Sequence, residues 1–352
     1  MGIKKSVKKI ETTEALAKHL GLSRWTISRA LNGHKNIHSK TVKKFKEDSI
    51  ELGFQPNKLA KTLRGGKSGL IGICFDELDS PILSTKVSAL QKSLRAKGFH
   101  GIIELTQGDN QLRLNAVSHL IGMRVEAILF IASKMEPSNH CYSIIENQSI
   151  PILLIDPLVL VENVPTILLD RSKSLELSIQ HLIDKGVETI ACIGIDPYDN
   201  GYGTQRCSRL SSILKKCKLN QENVDFIYSH KPYSTHHTAE YGIQLAKDLL
   251  NKNPLPDGVI ALNDRVAMGV IQYLRKKHLS IPKDLLIIGH DNQESSKFCY
   301  PELTSIDQNP DRMMEVASEM LVKILNHESP SKTTKIEPSL IPRTSTLLFN
   351  DE

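Results

Sequence analysis

The chain has 352 residues, of which 40% are hydrophobic and 24% charged; this suits two or three folded units and excludes a disordered chain, a collagen and a disulfide-stapled miniprotein. The net charge of +6 conceals an asymmetry: residues 1–69 hold 16 Lys/Arg against 5 Asp/Glu, a net of +11, and residues 70–352 hold 29 against 34, a net of −5. A basic head on a slightly acidic body directs the head toward a polyanion, although a solvated lysine-rich tail has the same composition.

The longest apolar runs, such as Ala127–Ala132 and Ile150–Ile155, are strand-length, so no membrane partner is expected. The opening MGIKKSVKKIETTE lacks the apolar stretch and cleavage site of a secretory signal. Six cysteines without a CxxC pair fit idle thiols in a reducing cytoplasm better than a disulfide frame or a zinc site.

The head is predicted to be all-α. Residues 12–20 read as a short helix with Leu16 and Leu20 on one face and Thr12 or Thr13 capping it. Gly21 suits the positive φ of a helix C-terminal turn, and Ser23 suits the cap of a second helix, Arg24 to Leu31, with Ile27, Ala30 and Leu31 inward and small Ala17 opposite Ile27. A helix-turn-helix of this kind puts the start of its second helix against base edges in the DNA major groove. A third helix is expected from Ser39 to Leu52, with Val42, Phe45, Ser49, Ile50 and Leu52 as its inner face. Residues 57–63 could form two more turns after Pro56, too few to be stable without a partner copy or DNA against them.

From Gly69 onward, apolar runs alternate with amphipathic helices. The first series is strand 70–75, helix 84–97, strand 101–105, helix 110–122, strand 127–132, helix 138–146 and strand 151–156. The second is strand 166–170, helix 172–185, strand 190–195, helix 205–217, strand 224–229, helix 235–251, strand 258–262, helix 264–276 and strand 285–289. Apolar strands alternating with helices predict parallel sheets covered on both faces. Two series predict an α/β domain of two lobes of the periplasmic-binding-protein kind, with a ligand at the strands' carboxyl ends. Asp156, Asp170, Asn263, Asp264, Asp291 and Asn292 fall at those ends. Asp264 reads as a helix N-cap rather than a ligand contact, and Asp291 as either a ligand contact or a loop cap.

The stretch LAKHLGLSRWTISRALNGHKNIHSKTVKKFKEDSIELGFQPNKLAKTLRGGKSGLIGI resembles the LacI/GalR family of bacterial transcriptional regulators, and the likeness runs through almost the whole chain. The resemblance implies a helix-turn-helix domain over 1–55, a hinge helix and linker over 56–68, and an effector-binding and dimerisation domain over 69–352. Its lobe one would take about 69–165 and 295–322, and lobe two about 166–294 and 323–352. It implies a homodimer in the cytoplasm, on the nucleoid, bound to a near-palindromic double-stranded DNA operator and controlled by a small effector (a sugar, sugar phosphate or sugar acid), without cofactor or metal.

By the same resemblance, Arg24, Trp25 and Arg29 would read bases, and Ser23, Ser28, Asn32 and Asn36 would touch backbone or base edges. Thr13 and Asn57 complete the contacts, and Leu63 would wedge into the minor groove at the operator centre. Arginine is apt because its fork spans guanine O6 and N7, with phosphate contact alone as the alternative. Arg206, Asn263 and Asp291 match effector-binding positions, with Ser80 and Asp156 as further candidates from the first lobe. Where the family has Arg-x-x-Gly-(Phe/Tyr), this chain reads Arg206-Cys207-Ser208-Arg209-Leu210, a departure that either tightens packing or puts a second cation near the cleft, and the latter would add weight to an anionic effector.

No reactive constellation points to an enzyme. GKS at 66–68 lacks the upstream glycine of a phosphate loop, residues 201–206 lack the third glycine of a dinucleotide fingerprint, and neither GxSxG nor HExxH occurs. His236 and His237 are adjacent and cannot both face one metal from a regular helix. The rival class is a sugar-binding or enzymatic α/β protein with an incidental basic head; a narrower rival keeps the DNA-binding role with a cleft that no longer responds to ligand.

Overall fold

The computed structural model describes residues 12–31, 47–49, 51–52, 54, 67–77, 79–134, 140–199, 201–229 and 238–347. They belong to two compact units, Met1–Ser68 and Gly69–Glu352.

In the first unit, α1 (Thr13–Leu20) is capped by Thr12, whose side chain accepts the Ala15 N–H at 3.1 Å, and ends on Gly21 in the left-handed region, φ 63°. Ser23 Oγ accepts the Thr26 N–H at 3.0 Å and so starts α2 (Arg24–Leu31). Leu16, Ala17 and Ile27 form a small core that is joined by Phe54, a residue outside the predicted inner face. Of the expected third helix, only 47–49 and 51 are described as helical; Ser49 is buried and Leu52 packs on the core. Val42, Phe45, Ile50, the segment 57–63 and the pair His236-His237 lie outside the described residues.

The second unit holds two six-stranded sheets. The first sheet is built from β1 (Leu70–Phe75), β2 (His100–Leu105), β3 (Ala127–Ile131), β4 (Ile152–Ile155), β5 (Thr166–Leu169) and β11 (Thr333–Ile336), in the order β11-β5-β4-β3-β1-β2, all parallel. The second contains β6 (Ile190–Ile193), β7 (Val224–Ile227), β8 (Gly258–Ala261), β9 (Leu286–His290), β10 (Thr304–Asp307) and β12 (Ser339–Ile341), in the order β12-β10-β9-β8-β6-β7. Its strands are parallel except β12, which runs antiparallel to β10, a departure from the all-parallel expectation. Central strands are buried along their length because helices cover both faces; all five residues of β3 are buried.

Helices α3 (Pro81–Ala96), α4 (Asn110–Gly122), α5 (His140–Asn147) and α11 (Pro310–Leu325) belong to the first lobe. The second lobe takes α6 (Arg171–Asp184), α7 (Tyr202–Cys207), α8 (Leu210–Cys217), α9 (Ala239–Leu250) and α10 (Asp264–Lys276). No helix among the described residues is long and apolar enough to cross a membrane.

The lobe boundaries differ from those expected. β5 and residues 323–336 lie with the first lobe, and 295–307 with the second, so the chain crosses at 169–171, 307–310 and 336–339. The crossings are tied together: the Asp170 N–H donates to Ile336 O at 2.9 Å, and Asn309 Nδ2 to Glu337 O at 2.7 Å. The helix expected over 205–217 is instead two, broken at Ser208-Arg209.

Helices α9 and α10 pack backbone to backbone because glycine stands at both contacts. A Cβ on Gly242 would come within 2.2 Å of Val266 O, and one on Gly269 within 2.0 Å of Ala239 O. Gly269→Ala should force the pair apart and lower stability by about 1–3 kcal/mol, read from urea unfolding of the whole chain; an unchanged midpoint would contradict this packing.

Candidate functional site

A cavity of about 730 Å³ opens between the two lobes. Ser80, Asp156, Arg206, Asn263 and Asp291, all singled out from the sequence, line it together. They come from the ends of β4 and β9, the starts of α3 and α10 and the last turn of α7, so segments of both lobes converge on one space. Joining them are Lys86, Arg113, Arg171, Tyr202 and Gln308, which the sequence reading missed.

Asp156 is the most constrained of the set. It follows β4 with φ 52°, is 1% exposed, and its carboxylate is already filled. Arg171 grips both oxygens, at 2.5 and 2.8 Å, Lys86 Nζ donates to Oδ2 at 2.7 Å, and the Leu169 N–H approaches Oδ1 at 3.4 Å. Burial alone would raise its pKa, but Arg171 and Lys86 outweigh burial and hold the carboxyl well below the usual range. Its part in the cleft is therefore to hold two cations rather than to accept from a ligand hydroxyl. The Arg171 guanidinium also stacks on the Tyr202 ring, 3.6 Å from its centroid, and Tyr202 Oη donates to Asp156 O at 2.7 Å.

Tyr202 and Arg206 are positioned by Asp199, whose carboxylate accepts the N–H groups of Gly201, Gly203 and Thr204 at 2.8–3.0 Å and so caps α7. Glycine is required at 203, where a Cβ would sit 1.9 Å from Asp196 O. Arg206, 5% exposed, faces the cavity. Arg209 does not: it donates to Ser172 Oγ at 2.8 Å and to the Asp170 carboxylate at 3.3 Å, outside the cavity lining. Leu210 packs on the second-lobe core. The expectation that Arg209 adds a cation to the cleft is thus corrected.

Asn263, not Asp264, caps α10; its Oδ1 accepts the Val266 N–H at 2.9 Å, and the residue lines the cavity. Asp264 lies inside the helix, fully buried, accepting from Ser305 Oγ at 2.6 Å and the Gln293 N–H at 2.7 Å. Burial, followed by the charge of Asp291, pushes its pKa up to about 8. Asp291 has φ 106°, and among the described residues its carboxylate takes side-chain rather than backbone donors: Oδ1 accepts from His290 Nδ1 at 2.9 Å and Gln308 Nε2 at 2.5 Å, and Oδ2 from Gln293 Nε2 at 3.4 Å. Burial pushes the pKa of His290 down to about 4, so the ring is neutral with its proton on Nδ1 facing Asp291.

On the head, Trp25 is 65% exposed and the Arg29 guanidinium lies 4.4 Å from its ring centroid. Arg24 and Ser23 are exposed on the same short stretch and Thr13 is half-buried. The side chain of Ser28, and all of Asn32, Asn36, Asn57 and Leu63, lie outside the described residues. Among the described residues no group of three His, Cys, Asp or Glu could hold a metal ion.

Asp156→Asn should remove roughly 3–5 kcal/mol in urea unfolding, because Lys86 and Arg171 lose their shared counter-charge. Since the folded pKa of Asp156 is depressed, its contribution is complete above the unfolded value near 3.9 and is lost as pH falls below about 4. Asp264 has the opposite sign: its folded pKa is raised, so its share of stability is present below pH ~4 and is lost as pH rises toward 8. Asp264→Asn should therefore flatten the decline in stability between about pH 4 and pH 8; parallel wild-type and variant profiles would contradict it.

The periplasmic binding protein-like domain family matches residues 179–346. The HTH-type transcriptional repressor PurR of Glaesserella parasuis serovar 5 is 27% identical over 96% of this chain and 99% of its own length. The ribose operon repressor of Escherichia coli K12 is 26% identical over 95% of this chain and 99% of its own. Among solved structures, the Lac repressor dimer bound to operator and the anti-inducer ONPF superposes with a TM-score of 0.80 at 21% identity, covering 97% of this chain and all of that one. With its helix-turn-helix head and two-lobed body, the chain is similar over almost its whole length to repressors of the LacI/GalR kind.

Proposed function

We propose that the protein is a cytoplasmic, nucleoid-associated repressor that binds a near-palindromic operator as a homodimer and is controlled by a small hydroxylated effector in the cleft between its lobes. The observation that carries this reading is the convergence of Ser80, Arg206, Asn263 and Asp291 on one cavity, in a chain whose head exposes a capped α2. Asn263 donates to effector hydroxyls, Asp291 accepts from them, and Arg206 holds the most electron-rich group. On DNA, Arg24 and Arg29 read base edges and Trp25 gives apolar contact. Ser23, Ser28, Asn32 and Asn36 touch the DNA backbone or base edges, Thr13 and Asn57 complete the contacts, and Leu63 wedges the central step.

The effector acts by linkage. It changes operator affinity only by as much as its affinity differs between the two arrangements of the lobes, typically about 1–3 kcal/mol.

The test is selection of bound fragments from genomic DNA, with the fluorescence of Trp25, the single tryptophan, confirming each hit. A recurring near-palindrome supports the reading, whereas salt-sensitive binding blind to sequence removes it. Arg29→Ala should reduce discrimination between the selected operator and scrambled DNA by about 1–3 kcal/mol, with the melting temperature of the body unchanged; intact discrimination would leave Arg29 a phosphate contact.

A further inference from the structure

The helix that carries Arg206 belongs to one lobe and is fastened to the other. Asp199 caps α7 within the second lobe, yet the start of the helix lies so near the first lobe that a Cβ on Gly201 would come within 3.0 Å of Leu158 Cδ2. The break at Ser208-Arg209 separates α7 from α8, so its placement depends on its own contacts.

Gln205 makes the connection with one uncharged side chain. Its Nε2 donates to Pro157 O at 3.3 Å and Leu158 O at 3.2 Å, in the loop that follows β4 of the first lobe, and its Oε1 accepts from Arg171 Nη1 at 3.3 Å. Tyr202, three residues earlier and so on the same face of α7, donates to Asp156 O in that loop. Arg206, next in the chain, is turned to the cavity. An amide suits position 205: it has donors for two carbonyls and an acceptor for a guanidinium, whereas a carboxylate lacks the donors and an apolar side chain lacks both. Gln205 is half-buried and stands outside the cavity lining, so it acts on the site through α7.

Elsewhere on the rim, Arg265 of α10 donates to Asp79 O of the first lobe at 3.0 Å, and its charge bears on Glu77 in the same loop. That contact is exposed to water, which competes for both partners, so it holds less.

Resting on the reading of the cleft as an effector site, we propose that Gln205 is a positioning residue that locks α7 of the second lobe onto the loop after β4 of the first, and so sets how far the cleft stays closed around Arg206. Losing the amide releases α7 from Pro157 and Leu158, while the Asp199 cap keeps the helix formed. Hydrogen bonds of this kind shift an equilibrium by about threefold to tenfold.

The test uses the full-length chain with one fluorophore on each lobe, at the exposed positions Lys97 and Lys218. The labels enter as non-natural side chains, which leaves the six native thiols untouched, and excess unlabelled chain pairs each labelled copy with an unlabelled one. Single-molecule energy transfer then reads the separation of the lobes. Gln205→Met keeps the length of the side chain and removes the amide; Gln205→Glu keeps the acceptor for Arg171 but turns an oxygen on the two carbonyls. Each should raise the open fraction about threefold or more, with a melting temperature near that of the wild type. Arg265→Ala should raise it less, and the two fold-changes should multiply in the double variant, since the contacts share no partner. An unchanged separation in both Gln205 variants overturns the lock, and so does loss of the folded body in both, which would give Gln205 to folding instead.

Operator affinity, measured on the same samples without effector, tests the reading on which the lock rests and should move with the separation. A wider separation with operator affinity unmoved upholds the lock and removes the control of DNA binding by the lobes. An affinity that moves while the separation stays fixed overturns the lock and leaves that control standing.

Discussion

The Asp156 carboxylate is the point on which the sensing body turns. It sits at the end of a first-lobe strand in a left-handed conformation, and both its oxygens are occupied by cations from different lobes. Lys86 reaches it from α3 and Arg171 from the first residue of α6, immediately after a crossing. Buried ion pairs rarely gain stability over apolar packing, because desolvation consumes most of the attraction. What this one provides is position: it brings two cationic side chains to the cleft wall and stacks one on Tyr202, which in turn bonds back to Asp156 O. Without that carboxylate, Lys86 loses its ion pair among the described residues and Arg171 loses the two-oxygen grip that orients it.

Electrostatic division of labour follows from it. Asp264 and Asp291 are close enough to raise one another's cost of ionisation, and the protein separates them by supplying hydrogen bonds to Asp291 from His290 and Gln308 while burying Asp264 among groups that tolerate its neutral form. One carboxylate remains charged and faces the cavity, and the other serves the interior. The thiols are kept out of this chemistry: Cys74 is fully buried, and burial pushes its pKa up to about 12.

Much of the architecture was legible because strand–helix alternation is a strong periodic signal; the strands and most helices of both lobes fall within a few residues of expectation. Gly21 and Ser23 were readable as caps from their residue types and places, and the first cap was narrowed to Thr12 or Thr13, of which the structure uses Thr12. Lobe membership was not, because which sheet a strand joins depends on contacts far away in sequence, and β5, β11 and β12 carry no local mark of it. In the cleft, the polar residues at strand ends stood out, but Lys86 did not. Its signal was nonetheless present: it occupies the inward face of α3 among Leu83, Val87 and Leu90, where lysine has no business unless something buried receives it. Arg209 misled for the converse reason, since a cation one helical turn from Arg206 looks like a neighbour in space until Ser208 and Arg209 break the helix and turn it toward Asp170.

The chain passes between the lobes three times, and the passages at Asp170, Asn309 and Glu337 are bonded to one another. A single strand joining two bodies would let them swing, twist and slide independently. Three bonded strands abreast act as a flat strap, easy to flex across its width and stiff to torsion within it. The lobes are thereby confined to something close to a single opening coordinate rather than a spread of orientations.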